Sequence, residues 1–228
     1  MTIVSLKDVV KDYDLGSTVV HALKGVSMDI QSGEFVTIAG ASGSGKSTML
    51  NLIGCLDHPT EGHVRVADKS VSALGERELN RLRLYSIGFI FQSFNLIPVL
   101  NVYENIELPL LIVPHIGPAE RRERVMHFMK EVGLEKQLRQ KPSELSGGQR
   151  QRVAVARALV TKPPIVLADE PTANLDSKTG IEIIDLMHQI NREEGTTFIF
   201  STHDPKIIAR ADRVIHLEDG QLSGENGK

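Results

Sequence analysis

The glycine-rich segment at residues 40–47 restricts the fold of this chain more than any other feature of its sequence. It reads Gly-Ala-Ser-Gly-Ser-Gly-Lys-Ser between an apolar run and a helical pattern, so it matches the G-x-x-x-x-G-K-[ST] phosphate loop. Glycines let the backbone curl until successive N–H groups face phosphate oxygens, and the N-terminus of the following helix adds partial positive charge. The segment therefore predicts a nucleoside triphosphate site between a strand and a helix.

The residues of this loop have distinct expected contacts. Lys46 is expected to reach the β- and γ-phosphates, and the Ser47 hydroxyl is expected to bind Mg²⁺. The residues predicted to bind nucleotide here are Gly40, Ser42, Gly43, Ser44, Gly45, Lys46, Ser47 and Thr48.

The order of apolar and helical patterns predicts an α/β fold of the P-loop NTPase type with a parallel core sheet. Buried core strands are predicted at residues 34–39, 165–169 and 197–201, with helices at 46–56, 178–191 and 205–211. An N-terminal antiparallel β subdomain is predicted from residues 4–13, 20–30 and 64–66, and only a short polar tail is expected after Gly220.

Residues 94–144 differ in character from the segments on either side. The apolar side chains of Val125, Phe128, Met129 and Val132 repeat at helical spacing and predict an amphipathic helix. We therefore predict one domain in which residues 1–93 and 145–228 form the α/β core and residues 94–144 form an inserted helical subdomain.

Two predicted core strands end in residues suited to hydrolysis. Asp169 and Glu170 follow one strand, at the carboxyl edge where ligands of an open α/β sheet bind. Asp169 is expected to hold Mg²⁺ through water, and Glu170 to accept a proton from the attacking water. Such a pair alone is as often the cap of a surface turn, but the nearby phosphate loop favours catalysis. His203 lies just beyond the predicted core strand at residues 197–201, and it is expected to contact the γ-phosphate or orient this water.

A second helix is predicted to begin at an anion-binding turn. In the segment Leu-Ser-Gly-Gly-Gln at residues 145–149, Ser146 is a good N-cap and two glycines permit close approach of a ligand. The motif alone favours an ordinary capped helix. Because the first loop already cradles phosphates, the alternative is a phosphate offered by another chain in a head-to-tail dimer.

Composition and charge exclude several classes of protein. The net charge of −3 over 228 residues argues against a nucleic-acid partner, which favours a basic surface. The single cysteine, Cys55, fits a reducing cytoplasm and a buried apolar role. No secretory signal is visible, and the most apolar stretch is interrupted by prolines and acids, so we expect no transmembrane segment.

The three motifs together resemble the nucleotide-binding subunits of ATP-binding-cassette (ABC) transporters. The phosphate loop, LSGGQ at 145–149 and VLADEP at 166–171 occur in that family's order, over the whole chain. The resemblance implies an ATPase that uses ATP and Mg²⁺ and works as a homodimer. It assigns Tyr13 to adenine stacking, Gln92 to Mg²⁺ and catalytic water, Ser146, Gly147, Gly148 and Gln149 to the opposite subunit's nucleotide, and Asp176 to the dimer interface.

Residues 88–98, 101–109 and 171–177 look like the branch of lipoprotein-releasing and macrolide- or peptide-exporting ATPases (LolD/MacB type), except that Ala173 replaces a frequent glycine. This implies a peripheral subunit on the cytoplasmic face of the inner membrane that powers membrane permease subunits docked near Gln92–Pro98. The apolar residues expected in that cleft are Phe94, Leu96, Ile97 and Leu100, for which core packing is an equal alternative. A rival function is a non-transporting ABC ATPase that regulates an envelope enzyme through its membrane partner.

Overall fold

Two β-sheets organise residues 1–227, which the computed structural model describes. In chain order the strands are β1 (Thr2–Asp14), β2 (Val19–Gln31), β3 (Phe35–Ala39), β4 (Glu61–Val66), β5 (Lys69–Ser70), β6 (Ile87–Ile90), β7 (Ile165–Ala168), β8 (Thr197–Thr202), β9 (Arg213–Glu218) and β10 (Gln221–Gly227). The antiparallel sheet has the order β2-β1-β4-β5, and the core sheet has the order β10-β9-β3-β8-β7-β6.

Helices connect and cover these strands. They are α1 (Lys46–Ile53), α2 (Glu76–Ser86), α3 (Val102–Glu107), α4 (Pro118–Glu131), α5 (Gly147–Leu159), α6 (Ser177–Glu194) and α7 (Pro205–Ile208). Short 3₁₀ helices occupy Val71–Ala73, Leu108–Ile112, Glu135–Gln137 and Pro142–Glu144. None of the helices within residues 1–227 combines the length and the apolarity that a bilayer span requires.

The parallel strands of the core sheet end at a common edge. Ala39 of β3 pairs with Thr202 of β8, and Ala168 of β7 pairs with Phe200 of β8 and with Ile90 of β6. Side chains alternate between the two faces, so Phe35 joins one buried apolar cluster while Val36 joins the other. The loops that follow these strands therefore emerge side by side, which is where the site forms.

The structure confirms the α/β fold with a parallel core sheet and an N-terminal antiparallel sheet. Residues 94–144 contain α3, α4 and three of the 3₁₀ helices. Val125 and Phe128 of α4 share one apolar cluster with Val166 and Phe198 of the core sheet. A division of residues 94–144 from the core as a separate subdomain therefore stays a prediction.

Several elements differ from the sequence expectation. The short polar segment expected after Gly220 is not a free tail, because it forms β10, which pairs antiparallel with β9 at the edge of the core sheet. An edge strand is held by backbone hydrogen bonds, so its exposed side chains need no apolar alternation. The helix α2 and the strand β6 were also not predicted.

Candidate functional site

A cavity of about 480 Å³ opens at the carboxyl edge of the core sheet. Its lining brings together most of the predicted site residues and three unpredicted ones from β2. The lining consists of Tyr13, Val20, His21, Ala22, Ser42, Gly43, Gly45, Lys46, Ser47, Thr48, Gln92, Asp169, Glu170, Ala173 and His203.

The loop before α1 requires glycine at two positions. Gly45 adopts a left-handed φ of 105°, and a Cβ there would lie 2.5 Å from the Ala22 carbonyl oxygen. A Cβ on Gly40 would lie 2.2 Å from the Leu217 carbonyl oxygen. Any larger side chain would push the loop away from its neighbours and change its curvature.

This loop has the chemistry of an anion cradle. Gly45 is the N-cap of α1, and no side chain of residues 1–227 caps this helix, so its first N–H groups remain for a ligand. The buried Ser44 hydroxyl has no hydrogen-bond partner within the described part of the chain. The Lys46 ammonium donates to the carbonyl oxygens of Gly40 at 2.9 Å and Ala41 at 2.8 Å, which keeps its charge over the loop. These features fit the phosphates of a nucleotide.

Oxygen ligands cluster around Asp169. One carboxylate oxygen accepts hydrogen bonds from the Ser47 hydroxyl at 3.1 Å and from the Ser201 hydroxyl at 2.6 Å. Carboxylate and hydroxyl oxygens suit Mg²⁺, which commonly takes one or two carboxylates and completes its shell with substrate phosphates and water. Ser201 was missed in the sequence, because its contact with Asp169 depends on the pairing of β7 with β8.

The Glu170 carboxylate lies between the His203 ring and the Lys46 ammonium. One of its carboxylate oxygens lies 2.9 Å from Nδ1 of His203 and 3.9 Å from the ammonium of Lys46. The Glu170 side chain is only 16% exposed, whereas that of His203 is 64% exposed. The Glu170 backbone has a left-handed φ of 46°, and its amide donates to Ser201 Oγ at 2.9 Å. This strained turn fixes the direction of the carboxylate into the cavity.

Tyr13 is oriented by two residues that the sequence did not single out. Its hydroxyl donates to Asp57 at 2.9 Å, and the Lys11 ammonium donates to the same carboxylate at 2.7 Å. That ammonium also lies 4.8 Å from the centroid of the Tyr13 ring. Burial is the main reason that the pKa of Tyr13 is raised. Burial alone would raise the pKa of Asp57 too, but hydrogen bonds from Lys11, the His58 amide and Tyr13 outweigh it and lower the pKa.

Gln92 lies in the loop that follows β6, and it lines the cavity. Its carbonyl oxygen accepts a hydrogen bond from the Asn174 side-chain amide at 2.8 Å. This bond connects the loop after β6 to the loop between Glu170 and α6.

Seven of the predicted site residues are not among the described residues that line the cavity. They are Gly40, Ser44, Ser146, Gly147, Gly148, Gln149 and Asp176. Gly40 lies against the Leu217 carbonyl, and the Ser44 carbonyl oxygen accepts a hydrogen bond from the Gly220 amide at 3.0 Å. Ser146 caps α5, because its hydroxyl accepts from the Gln149 amide and the Gln149 side chain accepts from the Ser146 amide. Asp176 caps α6 by accepting from the Lys178 and Thr179 amides. The hydrogen bond from the Thr179 hydroxyl is the main cause of the lowered pKa of Asp176.

Comparisons with known proteins all point to one family. A model of the ABC transporter family matches residues 23–173. The chain is 49% identical over 225 residues to MJ0796, an ABC transporter ATP-binding protein of Methanocaldococcus jannaschii, covering 97% of this chain and 96% of that protein. It is 45% identical over 220 residues to the lipoprotein-releasing system ATP-binding protein LolD of Alcanivorax borkumensis, covering 96% of each. It is 45% identical over 225 residues to the macrolide export ATP-binding/permease protein MacB of Hyphomonas neptunium, covering 99% of this chain but 35% of that protein.

A solved structure of MJ0796 extends this likeness to three dimensions. It is the dimeric structure of a post-hydrolysis state of that ATP-binding cassette, bound to ADP and Pi. The two chains have a TM-score of 0.89 at 48% identity, and the comparison covers 99% of this chain and 98% of that one.

Proposed function

Because this chain belongs to the ABC transporter family, we propose that it drives a pair of membrane subunits that export or extract lipoproteins, peptides or macrolide-like molecules. It is the ATP-binding and ATP-hydrolysing subunit of a transporter. ATP hydrolysis is supported by one observation above all: Lys46, Asp169 and Glu170 line the same cavity. The similarity to LolD and MacB supports the choice of branch.

The residues around the cavity suggest how hydrolysis proceeds. Ser47 and Asp169, with Gln92 nearby, would hold Mg²⁺, which when bound neutralises charge on the transferred phosphate. Glu170 accepts the proton of the attacking water, because its carboxylate points into the cavity and is largely shielded from solvent. His203 holds the Glu170 carboxylate through the 2.9 Å contact at Nδ1, which leaves Nε2 free to approach the γ-phosphate. Lys46 supplies positive charge to the phosphates.

Tyr13 would stack on the adenine at the other end of the cavity. The hydrogen bond to Asp57 fixes the ring, and the Lys11 ammonium near one face leaves the other face for the base. The nucleotide would then extend from Tyr13 to the loop at residues 40–47, which line the same cavity.

Two copies of the chain would complete each site. Ser146 and the glycines after it form a helix start that is separate from the chain's own cavity, so a phosphate from a second chain can approach it. Ser146, Gly147, Gly148 and Gln149 would then contact the triphosphate of the opposite subunit, and Asp176 would lie at the interface. The dimeric state of MJ0796 supports this arrangement.

A second cavity of about 280 Å³ suits the docking of a membrane subunit near Gln92–Pro98. It is lined by Arg83, Leu84, Ile87, Gly88, Phe89, Phe91, Asn95, Pro109, Arg157, Ala158 and Thr161. These described lining residues do not include the expected Phe94, Leu96, Ile97 and Leu100. Leu96 packs against the main apolar cluster, which supports the alternative of core packing for that residue. A chain docked in this way would be peripheral to the cytoplasmic face of the inner membrane.

The variant Glu170→Gln tests the hydrolytic assignment. Removal of the base should lower kcat by at least about 100-fold, while the affinity for ATP stays within about twofold of the parental value. In saturating MgATP this variant should accumulate as a dimer in small-angle scattering. Glu182→Gln, a change of an exposed acid on α6, is the matched control and should keep parental kinetics. Hydrolysis at the parental rate by Glu170→Gln would refute the base, and a monomer in MgATP would refute the dimer.

The transport branch needs a separate test on the membrane partner. Co-purification with a membrane protein that has four spans and a large extracytoplasmic domain would support extraction or export. Co-purification with a six-span subunit and a solute-binding protein would instead indicate import and contradict the proposed branch.

A further inference from the structure

The loop after β6 has an unusual backbone. Phe94 and Asn95 are consecutive residues with left-handed φ angles of 61° and 49°. The Asn95 amide donates to the Ser93 carbonyl at 2.6 Å, and the Phe94 amide donates to the Phe91 carbonyl at 3.1 Å. Residues other than glycine rarely adopt this backbone conformation, so it persists only where neighbouring groups hold it.

Two arginines of α5 hold this loop. The Arg157 guanidinium donates to the Asn95 carbonyl at 2.5 Å and to the Phe94 carbonyl at 2.7 Å. The guanidinium carbon of Arg150 lies 5.1 Å from the centroid of the Phe94 ring. A planar guanidinium can bond two adjacent carbonyls at once, which a lysine ammonium cannot do in the same rigid geometry. The loop is therefore clamped to one face of α5.

The environment of Arg157 indicates that this clamp is costly to build. The side chain is half-buried, and burial lowers the pKa of its guanidinium from the ordinary value. In the described structure its hydrogen bonds go to neutral carbonyls, so these bonds, and not an opposite charge, offset the cost of desolvation.

The clamp lies between two functional regions of the same chain. Arg157 and Asn95 both line the cleft of about 280 Å³ in which a membrane subunit would dock. The same loop contains Gln92, whose backbone carbonyl accepts a hydrogen bond from Asn174 in the loop before α6. At its other end, α5 is capped by Ser146, which would meet the nucleotide of the opposite subunit.

We propose that Arg157 is a positioning residue that couples the docking cleft to the N-terminus of α5. The proposal rests on the proposed function, because it assumes the ATP-bound dimer and the membrane partner. A helix pressed into the cleft displaces Asn95, and Arg157 transmits that displacement along α5 to Ser146. In the opposite direction, nucleotide held at Ser146 fixes α5, and Arg157 then holds the loop in its left-handed conformation.

Arg152 provides a matched control on the same helix. Its side chain is also half-buried and its guanidinium donates to a backbone carbonyl, that of Val132 at 3.1 Å, which lies outside the loop after β6. A purely structural role would make Arg152→Gln and Arg157→Gln equivalent in every measurement except stability.

Hydrogen exchange of full-length chains in the Glu170→Gln background tests the coupling with MgATP as the probe. In the parent, MgATP should slow exchange of the amides at residues 94–97 and at the start of α5, by about tenfold as is typical of coupled sites. Arg157→Gln should lose the slowing at residues 94–97 and keep it at the phosphate loop, residues 40–48. Arg152→Gln should keep both, and Arg157→Lys should show a partial loss.

The outcomes separate this proposal from the proposed function. If Arg157→Gln responds to MgATP as Arg152→Gln does, the coupling role is wrong while the ATPase dimer stands. If the parent itself stays monomeric in MgATP, the proposed dimer fails and the coupling with it. If Arg157→Gln does not fold, Arg157→Lys decides, because full slowing at residues 94–97 in that variant overturns the need for a two-carbonyl clamp.

Discussion

The helices α1 and α5 both follow glycine-rich segments, yet their first turns are built differently. α1 follows Gly45, and no side chain within residues 1–227 caps it. α5 follows Ser146, whose hydroxyl accepts from the Gln149 amide at 3.3 Å while the Gln149 side chain accepts from the Ser146 amide at 2.9 Å. The first helix thus leaves its amides for a ligand held by the same chain, whereas the second satisfies part of its own turn.

The start of α6 shows which of these differences matters. Asp176 caps that helix with a carboxylate that also accepts from the Thr179 hydroxyl at 2.6 Å. An anionic cap places negative charge where a phosphate would have to bind, whereas the neutral Ser146 leaves the positive end of α5 uncompensated. The charge of the cap, more than the presence of glycine, separates a helix start that can receive a phosphate from one that cannot.

Exchanging the cap of α5 for an anionic one has the largest expected effect. Asp and Ser cap helices about equally well, so Ser146→Asp should change the free energy of unfolding by less than about 0.5 kcal/mol. Like charges brought together at an interface cost several kcal/mol, so MgATP-driven dimerisation in the Glu170→Gln background should weaken by at least about 100-fold. Sedimentation velocity measures the dimer fraction.

The variant Ser146→Asn separates charge from shape, because its side chain has the same shape as that of Ser146→Asp but no charge. Asn is also a good N-cap and is neutral, so it should retain much more of the dimer than Asp does. Equal losses in the two variants would show that side-chain size decides, and the proposed distinction between neutral and anionic caps would fail.

Alanine substitution of one glycine from each helix start has the next largest effect. In Gly45→Ala the new residue would need a φ of 105°, and its Cβ would lie 2.5 Å from the Ala22 carbonyl oxygen. That oxygen belongs to the backbone and cannot move easily. Strain of about 1–3 kcal/mol should lower the ATP affinity of the single chain by about 10–100-fold. Isothermal titration of monomeric protein with MgATP measures this change.

Gly148→Ala should leave that single-chain affinity unchanged. Its Cβ would lie 2.6 Å from the Thr179 methyl group, but alanine favours a helix over glycine by about 1 kcal/mol, which offsets much of the crowding. Dimerisation in MgATP should weaken by about tenfold, equivalent to about 1.4 kcal/mol. A loss of single-chain ATP affinity in Gly148→Ala would contradict the assignment of α5 to the opposite subunit's nucleotide.

The same contrast explains what the sequence could predict. The loop at residues 40–47 and the acids after β7 are local patterns, in which the residue types and the adjacent strand and helix already determine the geometry. The motif at residues 145–149 was predicted as a helix start, and the structure confirms Ser146 as its N-cap. Its distance from the chain's own cavity is a property of the fold and was inferred only indirectly.

Contacts between distant segments explain why two residues that support the site were missed. Ser201 reaches Asp169 because β7 and β8 are neighbours, and Asp57 reaches Tyr13 although 44 residues separate them. Neither Ser201 nor Asp57 belongs to a recognisable local motif. The strand β10 was missed for another reason, because exposed edge strands show no apolar alternation.

Asp176→Asn has the smallest expected effect and tests the anionic cap of α6 through pH. Hydrogen bonding, chiefly from the Thr179 hydroxyl, lowers the pKa of Asp176 in the folded chain below its ordinary value of 3.8. The stability that it contributes is therefore complete above that ordinary value and is lost as the pH falls through the lower folded pKa. In thermal unfolding, Asp176→Asn should have a lower Tm than the parent at pH 7, and the difference should shrink as the pH falls below 3.8. A difference in Tm that stays constant down to about pH 2 would show that the charge of the cap contributes nothing, so α6 would no longer differ from α5 in the way proposed.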